Sequence, residues 1–376
     1  MTRSACFTGL TAFWVALAGE TSLTRAEDLY VSVKGDDSNR GTQAEPYRTI
    51  TQAYRKASAG DTIRVLPGVY CDYSSRWGIR LRKTGTASRP IVLRSEIPGQ
   101  AVVDGENQRD RNQGFYIDGD YNVVEGFEIR NCPNGGISIW GNGNRIIGND
   151  IHHNGTPSSA STNGKDGVYS NEGTKDNYYA GNSIHDNGRK GSNLDHGLYL
   201  CGQNEMVLNN VLFRNAATGL QIAGYRTVRN MKVYNNVMAW NGTSGIVLWQ
   251  KLKDVEIKNN ILYRNGHWGI GSWKAHGSGV VVDHNLACHN GDGDYNFTHG
   301  DSDYECQVGT KVTGEPLFVK SSREEFDAHL CEGSPAIGAG VNLHAVFDRC
   351  KDRVARAEHG PWDLGAFSFR PRAKGQ

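Results

Sequence analysis

Between Gly148 and Asn290 one short pattern recurs six times: GNDIHHN (148–154), GNSIHDN (181–187), NNVLFRN (209–215), NNVMAWN (235–241), NNILYRN (259–265) and HNLACHN (284–290). Each copy holds two asparagines five residues apart, and the first of them returns after 33, 28, 26, 24 and 25 residues. A weaker copy, GFEIRN, begins at Gly126. That period is the length of one solenoid coil, about 20–30 residues. Every unit except the last then reaches a glycine that opens an alternating apolar run, at Gly136, Gly167, Gly197, Gly219, Gly245 and Gly269. Alternation over such short runs makes strands, three to a unit, and not helix. Asparagine suits the bends, because its short amide tolerates left-handed backbone and bonds to the next copy above it. One unit cannot bury its own apolar face, so consecutive units must stack. The expected fold is all-β, a right-handed parallel β-helix.

Composition agrees: 47 glycines against 10 prolines in 376 residues point to tight turns. The formal charge is +1 and no basic stripe with interleaved aromatics occurs, so nucleic acid is not an expected partner. Arg3, the apolar stretch Ala5 to Ala18 and the small residues after it read as an export signal, with cleavage after Ala18 or Ala26. No later segment is long enough for a membrane span. A secreted or periplasmic monomer is expected. Of eight cysteines, Cys6 lies in the signal and seven remain, an odd number. Proximity in sequence suggests Cys288 with Cys306 and Cys331 with Cys350, leaving Cys201 as a packed thiol.

The expected divisions are a signal over 1–26, an N-terminal cap and first coils over 27–120, regular coils over 121–291, and C-terminal coils with a closing segment over 292–376. In PYRTITQAYRKA, Ile50, Ala53, Tyr54 and Ala57 fall at helical spacing, which predicts an amphipathic helix capping the open end of the solenoid. GSPAIGAG (333–340) and PWDLGAF (361–367) read as irregular closing structure. The stretch from Asp28 to Tyr70, the asparagine coils and GSPAIGAG with DLGAF together resemble secreted right-handed β-helix proteins of the pectate-lyase-like superfamily. The resemblance covers nearly all of the chain after the signal. It implies a carbohydrate-active protein, since that superfamily includes polysaccharide lyases, glycoside hydrolases, uronan epimerases and non-catalytic adhesins.

Two neighbouring coils carry insertions at one corner: thirteen residues separate Asn154 from Gly167 and ten separate Asn187 from Gly197, against four in the next three coils. Insertions on one face of a solenoid build its binding face. Aligning the coils on their glycines sets Asp166 beside His196, Lys165 beside Asp195 and Tyr169 beside Tyr199, with Gln221 next in that column. Four residues after the glycine stand Trp140, Trp249 and Trp273, as plates for sugar rings, with Lys251 and Lys274 beside them as further substrate contacts. Asp166, Asp195 and Glu172 could hold Ca²⁺. For β-elimination on an acidic polysaccharide, His196, Tyr199, Lys165 or Tyr169 would supply base or acid. Hydrolysis would instead need two carboxylates across the bond, which Asp166 and Asp195 could provide. Some calcium-dependent pectate lyases carry an Asp-Gly coil followed by an Asp-Asp-Gly coil, with a lysine five residues after the first Asp. Asp166-Gly167 and Asp195-His196-Gly197 are similar, but the lysine position is Asn171 and the second Asp is His196. The leading expectation is a polysaccharide lyase; the alternatives are a hydrolase or epimerase on the same fold, and a non-catalytic glycan-binding module.

Overall fold

Most strands are three residues long and follow the alternation: Leu198–Leu200 buries both leucines and leaves Tyr199 half-buried on the outer face. The computed structural model describes residues 26–71, 77–106, 112–155 and 164–371; the expected export signal rests on residues 1–25, outside them. The strands form three parallel ladders wound as a right-handed β-solenoid. One ladder climbs through Ile79–Leu81, Phe115–Ile117, Ile137–Ile139, Val168–Ser170, Leu198–Leu200 and Leu220–Ile222. A second starts at Asp28–Val31 and includes Asn122–Glu125, Arg145–Ile147 and Tyr178–Ala180. The third starts at Gly68–Tyr70 and ends at Lys311–Val312. The long strands Ile246–Lys258 and Trp268–Asp283 bend through both of the first two ladders, with a register shift between Trp249 and Lys251. The core is the column inside the coils, where Ile137, Val168, Leu198, Leu220, Ile246 and Ile270 stack in register. Glycine opens these strands for a steric reason: a Cβ on Gly167 or Gly197 would lie 2.7 Å from the carbonyl oxygen of the next coil's glycine.

The asparagine pairs form two buried ladders. In one, the Nδ2 amides of Asn149, Asn182, Asn210, Asn236 and Asn260 each donate to Oδ1 of the next member, ending at Asn285, over 2.9–3.2 Å. In the other, Asn154 leads through Asn187, Asn215, Asn241 and Asn265 to Asn290 at 2.9–3.0 Å. The left-handed residue is the one before each ladder asparagine: Asn209, Asn235 and Asn259 before one ladder, His153, Asp186, Arg214, Trp240, Arg264 and His289 before the other. This shifts the sequence reading by one position, and it explains the NN dipeptides. The second Asn joins the ladder. The first turns the chain and holds the C-terminal segment, through Asn209 to the Arg349 carbonyl, Asn235 to that of Asp363 and Asn259 to that of Val341.

That segment therefore does not close the end of the solenoid but lies along its flank, where Leu364, Ala366 and Phe367 pack with Val237, Ile261 and Leu286. Arg353 reaches Glu125 at 2.9 Å. At the other end, helix α1 (Ile50–Lys56) buries Ile50, Ala53 and Tyr54 against the strands Asp28–Val31, Thr62–Val65 and Ile79–Leu81. The Thr49 hydroxyl caps it by accepting from the Gln52 amide at 3.1 Å. Cys201, Cys288, Cys306, Cys331 and Cys350 are free thiols. The Cys288–Cys306 pairing expected from proximity fails because the two strands lie in different ladders, Cys288 packing outward and Cys306 against the coil interior. Cys331 is exposed whereas Cys350 is buried. Among the described residues no helix is long and apolar enough to cross a membrane.

The interior of one coil also holds a carboxyl group. Glu205 is fully buried, and its carboxyl contacts the Ser170 hydroxyl at 3.1 Å, the Asn177 amide at 3.1 Å and the Tyr179 hydroxyl at 3.2 Å. Burial pushes it up from 4.5 to about 7, against the pull of those donors. A carboxyl raised in the folded state contributes stability that is complete below about pH 4.5 and lost as pH rises to about 7. Glu205→Gln removes that titration, so the variant should gain on the parent across this window by ~3 kcal/mol. Urea melts of both proteins at several pH values measure it, and a pH-independent difference would refute it.

Candidate active site

Outward-facing residues of the first ladder line an elongated groove of about 1420 Å³. The register expected from the glycines is the one observed: Ser138, Tyr169, Tyr199, Gln221, Val247 and Gly271 are consecutive partners. Tyr169 and Tyr199 stack at 5.8 Å between centroids, and the His196 ring lies 5.4 Å from that of Tyr199. The column also extends back to Tyr116 and Arg80. Trp77, Tyr116 and Trp140 form a continuous stack there, at 5.4 and 6.0 Å. Neither Trp77 nor Tyr116 was found from the sequence, although Gly114-Phe115-Tyr116-Ile117 repeats the glycine-apolar alternation of the later coils.

At the centre, Asp166 and His196 are neighbours, and the contact runs through the backbone: the His196 amide donates to Asp166 Oδ1 at 2.8 Å. Burial raises the Asp166 carboxyl well above the usual carboxylate range, with the charge of Asp195 adding to it and the His196 amide opposing it. The His196 imidazole is lowered by burial to about 4, so it is neutral at pH 7. Its Nδ1 accepts from the Thr218 amide at 3.3 Å. A nitrogen that accepts from an amide cannot carry the ring proton, which therefore sits on Nε2. His196 is thus arranged as a donor, not as a base. Burial also raises the Tyr169 and Tyr199 phenols, so both stay protonated; the Tyr169 hydroxyl donates to Asn171 Oδ1 at 2.9 Å.

The Lys165–Asp195 pairing takes another form. The Lys165 amide donates to Asp195 Oδ1 at 3.0 Å, but its ammonium turns to Asn134 Oδ1. The cation on Asp195 is Arg189, from the inserted loop, with Nε on Oδ2 and Nη2 on Oδ1, both at 2.7 Å. Its own amide adds a bond to Oδ2 at 2.8 Å. Burial pushes Asp195 up, but Arg189 and the two amides outweigh it and hold the carboxyl below its ordinary value. Asp195 is fully buried and is not among the groove-lining residues. The two carboxylates that the hydrolytic reading placed across a sugar bond therefore do not both face the groove: one lies beneath it, locked to a loop arginine.

Gln221, Trp140, Trp249 and Trp273 line the groove, joined at the far end by Tyr225, Trp268 and His299. Lys251 and Lys274 do not line it. Both are exposed at the corner where Gln250 and Lys274 take left-handed backbone and turn the chain off the face. Glu172 is at the matching corner, where its Oε1 accepts from the Tyr225 amide. Ca²⁺ needs about six to eight oxygen ligands. Both Asp195 oxygens are engaged by Arg189, and among the described residues no group of three or more His, Cys, Asp or Glu could hold a metal ion. Arg189 thus occupies the Asp195 oxygens that a calcium ion would use.

Set beside known proteins, residues 29–195 match the family described as Pel9A-like, right handed beta helix region. Pectate lyase PEL9 of Emericella nidulans is 41% identical over 81 residues, 22% of this chain and 19% of that protein. Pectate lyase L of Paenibacillus polymyxa is 31% identical over 139 residues, 36% of this chain and 30% of that one. The matches thus span less than a third of either curated relative. The crystal structure of pectate lyase Pel9A superposes with a TM-score of 0.62 at 16% identity, covering 93% of this chain and 98% of that one. The fold is a right-handed parallel β-solenoid that resembles the pectate-lyase-like proteins.

Proposed function

We propose that this protein is an exported carbohydrate-active enzyme that cleaves a uronate-containing polysaccharide by β-elimination. The observation that carries this over hydrolysis is the groove's single carboxylate: of the described residues lining it, Asp166 alone is acidic. Ordinary glycoside hydrolysis needs two. Elimination needs a base for the proton α to the uronate carboxyl, donors for the enolate and an acid for the leaving oxygen. Asp166, with its raised affinity for protons, takes the α-proton; His196 Nε2–H and neighbouring amides hold the uronate carboxyl; the Tyr199 hydroxyl protonates the oxygen as the C–O bond breaks. Asp195, Arg189 and Lys165 fix the backbone beneath these groups. In the same reading α1 is a cap that shields the first coil's strand edges.

The test is incubation with a panel of uronic-acid polysaccharides. The expected result is ultraviolet absorbance from a new double bond conjugated with the carboxyl, unchanged by a chelator. New reducing ends without that absorbance would favour hydrolysis, and loss of activity on chelation would refute the metal-free route.

A further inference from the structure

Beyond Gln221 the groove changes character. Its floor there is Val247 and its walls are rings: Trp249 and Trp273 are direct partners on adjacent coils, Tyr225 stands 6.2 Å from Trp249, and His299 lies 5.0 Å from Trp273 and 6.0 Å from Trp268. Tyr225 is 75% exposed and Trp273 44%, an unusual investment of apolar surface in water. Among the described residues lining this half, none is lysine, arginine, aspartate or glutamate. Lys251 and Lys274, the cations nearest in sequence, are turned off the face by left-handed corners.

A chain carrying a carboxylate on every sugar would meet no lysine or arginine along this stretch, so its charge would contribute nothing to binding there. Uncharged sugars meet it differently. Their C–H faces cover the rings while their hydroxyls find Gln221, Ser244 and Ser272 at the edges. Adjacent coils are about 4.8 Å apart, close to the advance of one sugar, so successive rings fall at successive residues of a glycan lying along the axis.

We infer that this half of the groove is a binding arm for neutral sugars, so that the substrate is a heteropolysaccharide in which the cleaved uronate is followed on that side by an uncharged sugar. The inference rests on the elimination reading only for the word "cleaved"; the arm itself is a matter of binding.

Binding therefore tests it. Full-length Asp166→Asn protein is titrated by calorimetry with polygalacturonate, and separately with a polysaccharide in which galacturonate alternates with a neutral sugar, at low and high salt. The alternating glycan is expected to bind more tightly, with less than about a twofold change in Kd between the two salt conditions. Trp249→Ala and Trp273→Ala should each weaken it about tenfold. Tyr225→Ala, at the most exposed ring, guards against misfolding of either tryptophan variant and should weaken it as well. Tighter binding of polygalacturonate, binding of neither glycan, or an unchanged Kd in all three ring variants would overturn the arm. The two readings fail separately. Ring-dependent binding without any unsaturated product from the wild type leaves the arm and removes the lyase, whereas unsaturated product from polygalacturonate with ring variants of unchanged KM does the reverse.

Discussion

Asp166→Asn is expected to lower kcat for uronan cleavage by about 10²–10⁴-fold, the range for removing a general base, with KM little changed. The substitution is chosen because the amide oxygen can still accept from the His196 amide, a bond of 2.8 Å in the parent. The backbone beneath the groove is thereby kept while the proton acceptor is lost. A second signature separates chemistry from structure. The parent carboxyl is raised above the ordinary range by burial and the charge of Asp195, and the base form is lost on protonation. The parent's kcat/KM should therefore fall on the acid side, at a pH above that of an exposed aspartate, and the residual activity of the variant should lack that limb. Initial rates of double-bond absorbance across pH measure both. A variant within tenfold of the parent would remove Asp166 from the mechanism.

Much of this site could be read from the sequence, and the reason is the repeat. Once the asparagines fix the coil, strand pairing has only one register, because a slip by one residue would turn Leu198 and Leu200 outward and Tyr199 into the core. Asp166 beside His196 and Tyr169 beside Tyr199 follow directly. What failed was what lies off the strands. Asp195 was placed correctly on the backbone, yet its partner is Arg189, since the path of an inserted loop is set by contacts that no period encodes. Lys251 and Lys274 were misplaced because the corner geometry depends on left-handed residues and a register shift at Trp249, neither visible as a pattern. Tyr116 was missed because its coil lacks the asparagine marker. The C-terminal segment was expected to close the solenoid; it runs along the flank because Asn209, Asn235 and Asn259, which the five-residue spacing passes over, offer it hydrogen bonds.

Asn236→Ala is expected to be the most damaging single change to stability among the ladder positions near the middle of the stack. The Asn236 side-chain oxygen accepts both the backbone amide and the Nδ2 of Asn210, at 2.9 and 3.0 Å. Its own amide donates to the Val207 carbonyl at 2.8 Å and to Asn260 Oδ1 at 2.9 Å. The methyl of alanine replaces none of these, and the site is wholly buried. Each orphaned buried group costs about 1–3 kcal/mol, so two or three of them predict a loss of ~3–5 kcal/mol. Because each coil contacts only its neighbours, the weakened step would divide the stack and broaden unfolding as well as lower its midpoint. The partner variant Asn260→Ala should cost a similar amount, and the double variant less than the sum, because the bond between the two amides is lost once and not twice. Equilibrium urea unfolding of the four proteins measures the cycle. A loss below about 1 kcal/mol for Asn236→Ala, or strict additivity in the pair, would mean that the asparagines merely fill the bends and that the coils are held together by the apolar column alone.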